Sequence, residues 1–186
     1  MPKGNMPYDG GNLLLNKEEK DGLIKKHPSS KKYLKKLIGA KEFIDNKEKW
    51  CLWIRDNDLK EALKIEEIND RVKKVKKMRL SSTDKSAHKL AERPHQFREV
   101  RETTTNSVVI PLHTSERREY IPFGFIDSDT IPTNALSVIY DAEPWIFGLI
   151  SSKIHLVWVK SIGGQLETRI RYSPALCYNT FPFPDI

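Results

Sequence analysis

Three charged residues near the end of the chain have a spacing that suits the reading of DNA bases. Glu167, Arg169 and Arg171 alternate with uncharged residues, and side chains two positions apart share one face of a β-strand. An arginine can donate to O6 and N7 of guanine together, while a carboxylate can accept a hydrogen bond from N4 of cytosine. The pattern therefore predicts a strand face that reads a C·G pair. A solvent-exposed face with cross-strand ion pairs is the alternative.

Two other polar groups have the composition of phosphate-binding sites. The first combines hydroxyl groups at an expected helix start with flanking cations, which suits phosphate because the first backbone N–H groups of a helix lack partners. Its members are Arg79, Ser81, Ser82, Lys85, Lys89 and Arg93. The second is a loop with Ser115, Arg117 and Arg118, in which adjacent arginines could contact one backbone phosphate. A helix cap without a ligand and an ion pair with Glu116 or Glu119 are the respective alternatives.

The positive charge of the chain is concentrated in one segment. The 186 residues carry a net charge of +7, but residues 71–101 alone carry +8, whereas residues 1–70 carry +2 and residues 102–186 carry −3. A basic segment beside a mildly acidic remainder predicts a polyanionic partner, most simply nucleic acid. A lysine-rich helix whose solvated face keeps the protein soluble is the alternative.

Several classes of function lack the residues that they need. Cys51 and Cys177 are too few for a disulfide scaffold or a four-thiolate zinc site, and both lie in apolar segments where a thiol stays inert. The five histidines show no metal-ligand spacing, and neither GxGxxG nor a P-loop occurs. Acidic pairs fall in expected turns and helices rather than on strands. No catalytic residue and no metal site is therefore predicted.

The sequence shows no signal for secretion or membrane insertion. Residues 1–11 lack the apolar core of a signal peptide. The longest apolar stretch, Trp145–Ile150, is far shorter than the roughly 20 residues of a membrane-spanning helix. We therefore expect a cytoplasmic protein that does not contact a membrane.

The elements that would position these residues differ between the two halves of the chain. Hydrophobic periodicity and turn residues predict a mainly helical lobe over residues 1–101 and a β-rich lobe over residues 102–186. The expected helices cover residues 18–26, 31–39, 59–80, 83–93 and 145–162, and the expected strands cover residues 50–54, 107–112, 120–126, 136–140 and 167–172. Pro111 suggests that its strand has an edge or a bulge. The last helix is apolar on most sides and is predicted to be buried. The predicted fold class is α+β, with both lobes packed around this helix as a single domain of residues 1–186.

Eight short motifs follow one another in a fixed order and together cover nearly the whole chain. They are Met6–Gly11, Trp50–Ile54, Arg79–Ser82, Leu90–Pro94, Ser115–Pro122, Phe147–Trp158, Arg171–Ser173 and Cys177–Pro184. This series resembles the target recognition domain of MmeI-like enzymes, the Type IIL restriction–modification family. The ordered series is far more specific than any one motif.

The resemblance implies that this chain is one part of a larger enzyme. Enzymes of the family join a nuclease, an adenine N6-methyltransferase that uses S-adenosylmethionine, and a recognition domain in one polypeptide. The Gly-rich cofactor motif and the Asn-Pro-Pro-Tyr catalytic motif of the methyltransferase are absent from this sequence. The chain is therefore expected to be non-catalytic and to bind no cofactor itself, with the methyltransferase domain of its parent polypeptide as a partner. The way in which the sequence begins and ends suggests an excised domain.

The resemblance also implies that two short stretches determine specificity. The matching positions are Asn134, Ala135, Glu167, Arg169 and Arg171. The combined expectation is sequence-specific recognition of double-stranded DNA, in which the basic segment and the loop at 115–118 contact phosphates and the specificity positions read bases in the major groove. A module that binds single-stranded nucleic acid or an acidic protein is the alternative. A single-strand binder needs exposed aromatic side chains, whereas the four tryptophans Trp50, Trp53, Trp145 and Trp158 lie in apolar runs and are expected in the core.

Overall fold

Two sheets and a short hairpin, each combined with helices, organise the part of the chain that the structure describes. The computed structural model describes residues 1–113, 115, 118–166 and 169–184. The α-helices are α1 (Lys17–Lys26), α2 (Ala40–Asp45), α3 (Leu59–Ala62), α4 (Glu66–Leu80), α5 (Lys85–Leu90), α6 (Pro144–Ile150) and α7 (Lys153–Ile162). The strands are β1 (Leu14–Leu15), β2 (Leu34–Ile38), β3 (Trp50–Leu52), β4 (Ser107–Pro111), β5 (Gly124–Ile126), β6 (Thr130–Pro132), β7 (Leu136–Ile139), β8 (Gly164–Leu166) and β9 (Arg169–Arg171). Short 3₁₀ turns cover Pro28–Tyr33 and Asp56–Asp58, and a π-helical turn covers Pro174–Tyr178. The α+β class expected from the sequence is confirmed.

The first sheet has the strand order β1-β3-β2-β6. β3 pairs antiparallel with β1 and with β2, whereas β6 pairs parallel with β2, with Leu37 opposite Ile131. Helix α4 contributes Ile68, Val72 and Val75 to the core that this sheet forms. The three apolar side chains follow one another at spacings of four and three residues, and they lie on one side of the helix. The opposite side of α4 carries charged residues.

The second sheet has the order β5-β4-β7, and β4 lies in its centre. Helices α6 and α7 supply Ile150, Leu156 and Val159 to the core beneath it. The hairpin β8–β9 follows α7 directly. It reaches the second sheet through an antiparallel bridge between His113 and Arg171.

Residues 1–101 and residues 102–186 contact each other at three places. Strand β6, from the second half, completes the first sheet. A separate apolar cluster joins Ile38 to Leu136 and Val138. The N-terminal segment, residues 2–8, begins beside β7, where Lys3 is bridged to Ser137, and continues beside the first half of the chain, where Met6 is bridged to Glu99. The position of β6 means that the boundary predicted at residues 101 and 102 does not separate two independent sheets.

The predicted helix at residues 31–39 is wrong. The structure has a 3₁₀ turn there, followed by strand β2 between β3 and β6. The lysine-rich sequence of Leu34–Ile38 has no strong local preference, and burial of Leu37 and Ile38 in the sheet decides its conformation. The strand Thr130–Pro132, which was not predicted, supplies the missing neighbour.

The predicted long helix at 145–162 is two helices, and it is not buried on all sides. Ser151 and Ser152 separate α6 from α7, and the Ser152 side chain caps α7 by accepting from the backbone N–H of His155 at 3.2 Å. Ile154 and Val157 are 72% and 57% exposed. The predicted arrangement of two lobes around one buried helix is therefore wrong in this detail, because a serine that caps a new helix also ends the previous one.

Smaller differences concern the ends of elements. The helix predicted over 59–80 is interrupted before α4, because Ile65 has an extended backbone. The helix expected over 83–93 ends earlier, at Leu90, and turns continue to Pro94. Strand β4 is central rather than at an edge, and Pro111 is tolerated because β5 pairs only with its first three residues. Of the strand predicted at 120–126, only Gly124–Ile126 is formed. Within the described residues, no helix is both long and apolar enough to cross a membrane.

Candidate nucleic-acid interface

The two stretches predicted to read bases meet at one end of strand β4. Leu136, which directly follows Ala135, pairs with Pro111 at the end of β4. Two residues further along the chain, His113 pairs with Arg171 of β9. Adjacent strands are about 4.8 Å apart and successive residues about 3.3 Å apart along a strand. The backbones of Ala135 and Arg171 therefore both lie beside the end of β4, although the two are separated by 36 positions in the sequence.

A turn ahead of β7 presents Asn134 and Ala135. The N–H of Leu136 donates to the carbonyl of Thr133 at 3.0 Å, and the N–H of Asn134 donates to the carbonyl of Asn5 at 2.9 Å. Ala135 is exposed and Asn134 is partly exposed. The backbone of the turn is thus fixed from both sides, while the two predicted reading positions remain accessible.

Asn5 is a residue in this region that the sequence analysis missed. It is fully buried, its side-chain amide donates to the carbonyl of Pro132 at 3.2 Å, and its Oδ1 accepts from the N–H of Arg101. The preceding residue, Gly4, approaches the chain so closely that a Cβ would lie 2.5 Å from the carbonyl oxygen of Thr133. Close backbone approach explains a glycine here. The dipeptide Gly4-Asn5 is the sequence feature that could have indicated a buried segment near the N-terminus.

Strand β9, which is predicted to read bases, is described in part. Arg171 is exposed and pairs with Gly164 of β8, whereas Arg169 is described by its backbone pairing with Leu166 alone. Glu167 lies outside the described residues. The predicted shared face of Glu167, Arg169 and Arg171 therefore stays a prediction.

Four lysines form an exposed surface on α4, which we call the basic face. They are Lys73, Lys74, Lys76 and Lys77. Val72 and Val75 alternate with them and are buried in the core, so the helix holds the lysines outward. Lys73 has Asp70 4.0 Å away as a weak partner. Exposed pairs of this kind contribute little, and the charge of the face remains available to a polyanion.

Arg79 does not belong to this surface, which corrects its predicted role in phosphate binding. Its side chain is fully buried. The guanidinium donates to the carbonyls of Gln96 at 2.7 Å, Leu90 at 2.8 Å, Arg93 at 2.9 Å and Tyr8 at 3.1 Å, with a longer contact to Pro7. Burial lowers the pKa of Arg79, and the neighbouring Arg93 adds to the effect. All N–H donors of the guanidinium are used inside the protein, so Arg79 connects the N-terminal segment to residues 90–96.

Arg93 is also engaged within the protein. Its guanidinium donates to the carbonyl of Phe97 at 3.0 Å, to that of Arg98 at 2.6 Å and to the side chain of Gln96 at 3.1 Å. The residue is partly exposed. These contacts stabilise the turns that follow α5, and the predicted phosphate contact of Arg93 would compete with them.

The start of α5 does not have the predicted arrangement of a phosphate site. Asp84, rather than a serine or threonine, caps the helix and accepts from the N–H of Ser86 at 2.8 Å. Hydrogen bonds from the Ser86 hydroxyl and N–H lower the pKa of Asp84, so a carboxylate already occupies the position where a phosphate would bind. Ser81 donates to the carbonyl of Met78 at 2.9 Å, and the Ser82 hydroxyl lies 3.0 Å from that of Tyr8. Of this predicted group, only Lys85 and Lys89 are exposed and have side chains that make no hydrogen bond or ion pair in the described contacts.

The predicted phosphate loop is described at two of its three residues. Ser115 and Arg118 are exposed, and the N–H of Arg118 donates to the carbonyl of Ser115 at 3.1 Å. Arg117 and its possible partner Glu116 lie outside the described residues. The turn keeps Arg118 at the surface, and the role of the loop stays a prediction.

The described residues offer little for catalysis. They contain no group of three or more His, Cys, Asp or Glu side chains arranged to hold a metal ion. Burial raises the pKa of both thiols, Cys51 and Cys177, which keeps them protonated. Burial also lowers the pKa of His155 to about 4, so this histidine is neutral at physiological pH.

Comparisons with known proteins identify the class and then the family. A family model described as "MmeI, target recognition domain" matches residues 1–185. The chain is a target recognition domain of the restriction–modification type, and it belongs to the MmeI family of these domains. The resemblance deduced from the sequence motifs is thereby confirmed.

Two relatives show how much of a longer protein this chain represents. It is 44% identical over 183 residues to DNA methyltransferase A of Bacillus subtilis (strain 168), which covers 98% of this chain and 21% of that protein. It also resembles the solved structure of the Type IIL restriction–modification enzyme MmeI in complex with DNA, with a TM-score of 0.91 and 42% identity over 99% of this chain and 25% of that one. The chain thus spans about a quarter or less of the length of these relatives.

Proposed function

We propose that this chain binds double-stranded DNA and recognises a specific base sequence, as the recognition domain of a DNA adenine N6-methyltransferase of the restriction–modification type. One observation carries the proposal. The two stretches to which the family resemblance assigns specificity, the turn at Asn134–Ala135 and the strand that ends at Arg171, lie at the same end of β4. Short, rigidly supported segments of this kind can enter a groove together.

The two kinds of contact have different roles in this proposal. The basic face and the exposed Lys85 and Lys89 attract phosphates regardless of sequence, which gives affinity that falls steeply with salt. Arg171 and the turn at 134–135 read base edges in the major groove, and each good pairing discriminates by about 1–3 kcal/mol. The net charge of +8 over residues 71–101 supports the first role. The net charge of −3 over residues 102–186 supports the second, because the few arginines there are available for contacts with individual bases.

The N-terminal segment connects the regions of the two surfaces. Lys3 is bridged to Ser137 on β7, while the Tyr8 hydroxyl lies 3.0 Å from that of Ser82, which follows α4. Residues 3–8 therefore run from the strand that follows the turn at 134–135 to the end of the helix that carries the basic face.

The chemistry of methylation belongs, in this proposal, to the rest of the parent polypeptide. S-adenosylmethionine would bind in its methyltransferase domain, and that domain would take the target adenine out of the base stack. The present chain would set the register of the duplex so that the correct adenine reaches the active site. The identity to a protein called DNA methyltransferase A supports this assignment.

One observation keeps single-stranded nucleic acid as a second candidate. Trp145, expected in the core, is 40% exposed, and Tyr120 is 46% exposed. Exposed aromatic rings can stack on unpaired bases. The prediction that all four tryptophans are buried is wrong for Trp145, because its ring lies at the first turn of α6, where its N–H donates to Glu143 at 2.6 Å.

A binding experiment separates the candidates. Fluorescence anisotropy compares a randomised duplex pool, the matching single strand, heparin and an acidic peptide at several salt concentrations, and repeated selection from the duplex pool then reveals any preferred sequence. The proposal expects enrichment of one sequence in duplex form, with affinity that decreases as salt increases. Tighter binding of the single strand, or equal binding of heparin and every duplex with no enriched sequence, would contradict it.

A further inference from the structure

A cavity of about 520 Å³ opens beside the strand that is proposed to read bases. Three segments meet there: the N-terminal segment, the end of β4 and strand β9. The polar side chains that line the cavity include Lys3, His113, Arg171 and Ser173. Neither Lys3 nor His113 was singled out by the sequence, because the two lie 110 positions apart and in segments without a recognisable motif.

The backbone holds Lys3 firmly at this place. The N–H of Val138 donates to the carbonyl of Pro2 at 2.9 Å, and the N–H of Gly4 donates to the carbonyl of Leu136 at 3.0 Å. Lys3 lies between these two hydrogen bonds, and its own carbonyl accepts from Arg101 at 3.0 Å. The exposed side chain therefore projects from a fixed backbone, next to the turn at residues 133–135.

His113 and Arg171 form a cross-strand pair. Residues directly opposite each other in an antiparallel pair have Cβ atoms about 5 Å apart and extend to the same face. The pair is reinforced by a hydrogen bond from the N–H of Tyr172 to the carbonyl of Leu112 at 3.1 Å. Both side chains are exposed at the cavity.

The charge of this cavity sets it apart from a second lysine-rich cavity of about 450 Å³ around Trp50. In the second cavity Lys32 is paired with Glu61 at 2.7 Å and Lys35 with Asp129 at 3.2 Å. Among the residues that the structure describes, the lining of the first cavity contains no carboxylate, and none of the ion pairs described for the chain involves Lys3 or Arg171. Lys3 and Arg171 can therefore bind an external anion.

We propose that Lys3 and His113 bind a backbone phosphate of DNA immediately beside the base pair that Arg171 contacts. The inference rests on the proposed function and adds a phosphate contact beside the proposed reading strand to those expected of the basic face. A lysine can neutralise a phosphate as a point charge, and a histidine ring N–H can donate to one of its oxygens. The contact would hold the strand so that Arg171 meets one base pair and not its neighbour.

The test uses the chain with Lys3→Met, which keeps most of the side-chain length and removes the charge. Affinity for the selected duplex should fall about tenfold at low salt, and the slope of log affinity against log salt should decrease by about 0.9, the value for one phosphate contact. His113→Gln should weaken binding in the same direction. Lys31→Met, which removes an exposed lysine of the second cavity, is the matched control and should leave the salt slope unchanged.

Duplexes with a single uncharged methylphosphonate identify the phosphate. At one position the methylphosphonate should weaken DNA binding by the unmodified chain. The same methylphosphonate should weaken DNA binding by the Lys3→Met variant little further. If the two effects add at every position, Lys3 contacts no phosphate and the inference is wrong. A titration with inorganic phosphate forms the second arm: binding that depends on Lys3 without any effect on the DNA salt slope would mean a free-anion site instead.

The failure of this inference differs from the failure of the proposed function. A chain that binds no duplex in preference to single strands or heparin contradicts the proposed function. A chain that binds its selected duplex normally, with an unchanged salt slope in Lys3→Met, contradicts the inference alone. Thermal unfolding of both variants checks that the fold is retained, as expected for exposed side chains.

Discussion

Arg79 connects helix α4 to the N-terminal segment and to residues 90–96, and its replacement should have a large and specific effect on stability. Its guanidinium is buried and makes four hydrogen bonds of 3.1 Å or shorter to backbone carbonyls, of Tyr8, Leu90, Arg93 and Gln96. Arg79→Met keeps the aliphatic volume and removes every donor. The carbonyls of Tyr8 and Gln96 would lose their described donor, at about 1–3 kcal/mol each, and removal of the buried charge returns part of its desolvation cost. The carbonyls of Leu90 and Arg93 keep the backbone N–H groups of Arg93 and Gln96 and lose one of two hydrogen bonds.

The expected loss in the free energy of unfolding is about 3–5 kcal/mol for Arg79→Met. Arg79→Lys retains a charge and up to three donors, but these radiate from one nitrogen and cannot reach four dispersed carbonyls, so we expect about 1–3 kcal/mol. With a urea dependence of about 2 kcal/mol per molar, the methionine variant should unfold at a urea concentration about 2 M lower.

Urea unfolding followed by tryptophan fluorescence measures these shifts. Lys77→Met, two positions earlier on the exposed side of α4, is the control and should leave the urea midpoint unchanged. DNA binding by Arg79→Lys, measured where the variant is folded, should keep the salt slope of the unmodified chain. An unchanged urea midpoint for Arg79→Met together with a smaller salt slope would refute the structural reasoning, because it would make Arg79 a phosphate contact after all.

Three further predictions follow from the interface and the core. Arg171→Ala should relax the preference at one base pair of the selected duplex while leaving affinity for random duplex nearly unchanged, and a variant whose selected sequence is identical would exclude base reading by this residue. Replacing the four lysines of the basic face by glutamine should weaken binding to all duplexes alike and reduce the salt slope by up to about 0.9 per lysine; a slope that does not change would assign the face to solubility. Burial lowers the pKa of His155 from 6.5 to about 4, so between these pH values the unfolded chain binds a proton that the folded chain does not. Stability should therefore decrease as pH falls from 6.5 towards 4, by up to about 3 kcal/mol from this residue, and His155→Gln should show a shallower loss in urea unfolding across the same pH range.

Features with a strong local signal could be predicted from the sequence. Helix α1 lies within one residue of the predicted 18–26, and its start is fixed by a reciprocal pair of hydrogen bonds between Asn16 and Glu19. The apolar run at Trp50 forms a strand, as predicted, because β-forming residues there are buried on both faces. The family was also accessible, since ordered motifs persist along the whole chain.

Features that depend on distant parts of the chain could not be predicted. The sequence around Leu34–Ile38 becomes a strand only because β6, more than 90 positions later, pairs with it. Arg79 beside two serines has the composition of a phosphate site, and only the folded chain shows that carbonyls of the N-terminal segment and of residues 90–96 converge on its guanidinium. The polar cavity at Lys3 and His113 is another case, because its residues come from three segments with no common motif.

The way in which β6 and the N-terminal segment cross between the two halves restricts how specificity could be exchanged among related proteins. A chimaera joined at residue 102 would combine β2 from one parent with β6 from another, and would place a foreign turn against Asn5. Mismatched packing at Ile38, Leu136 and Val138 would then accompany every altered specificity. Successful grafts should instead transplant the turn at 133–135 and the hairpin β8–β9 as small inserts, or carry residues 2–8 and β2 along with the second half.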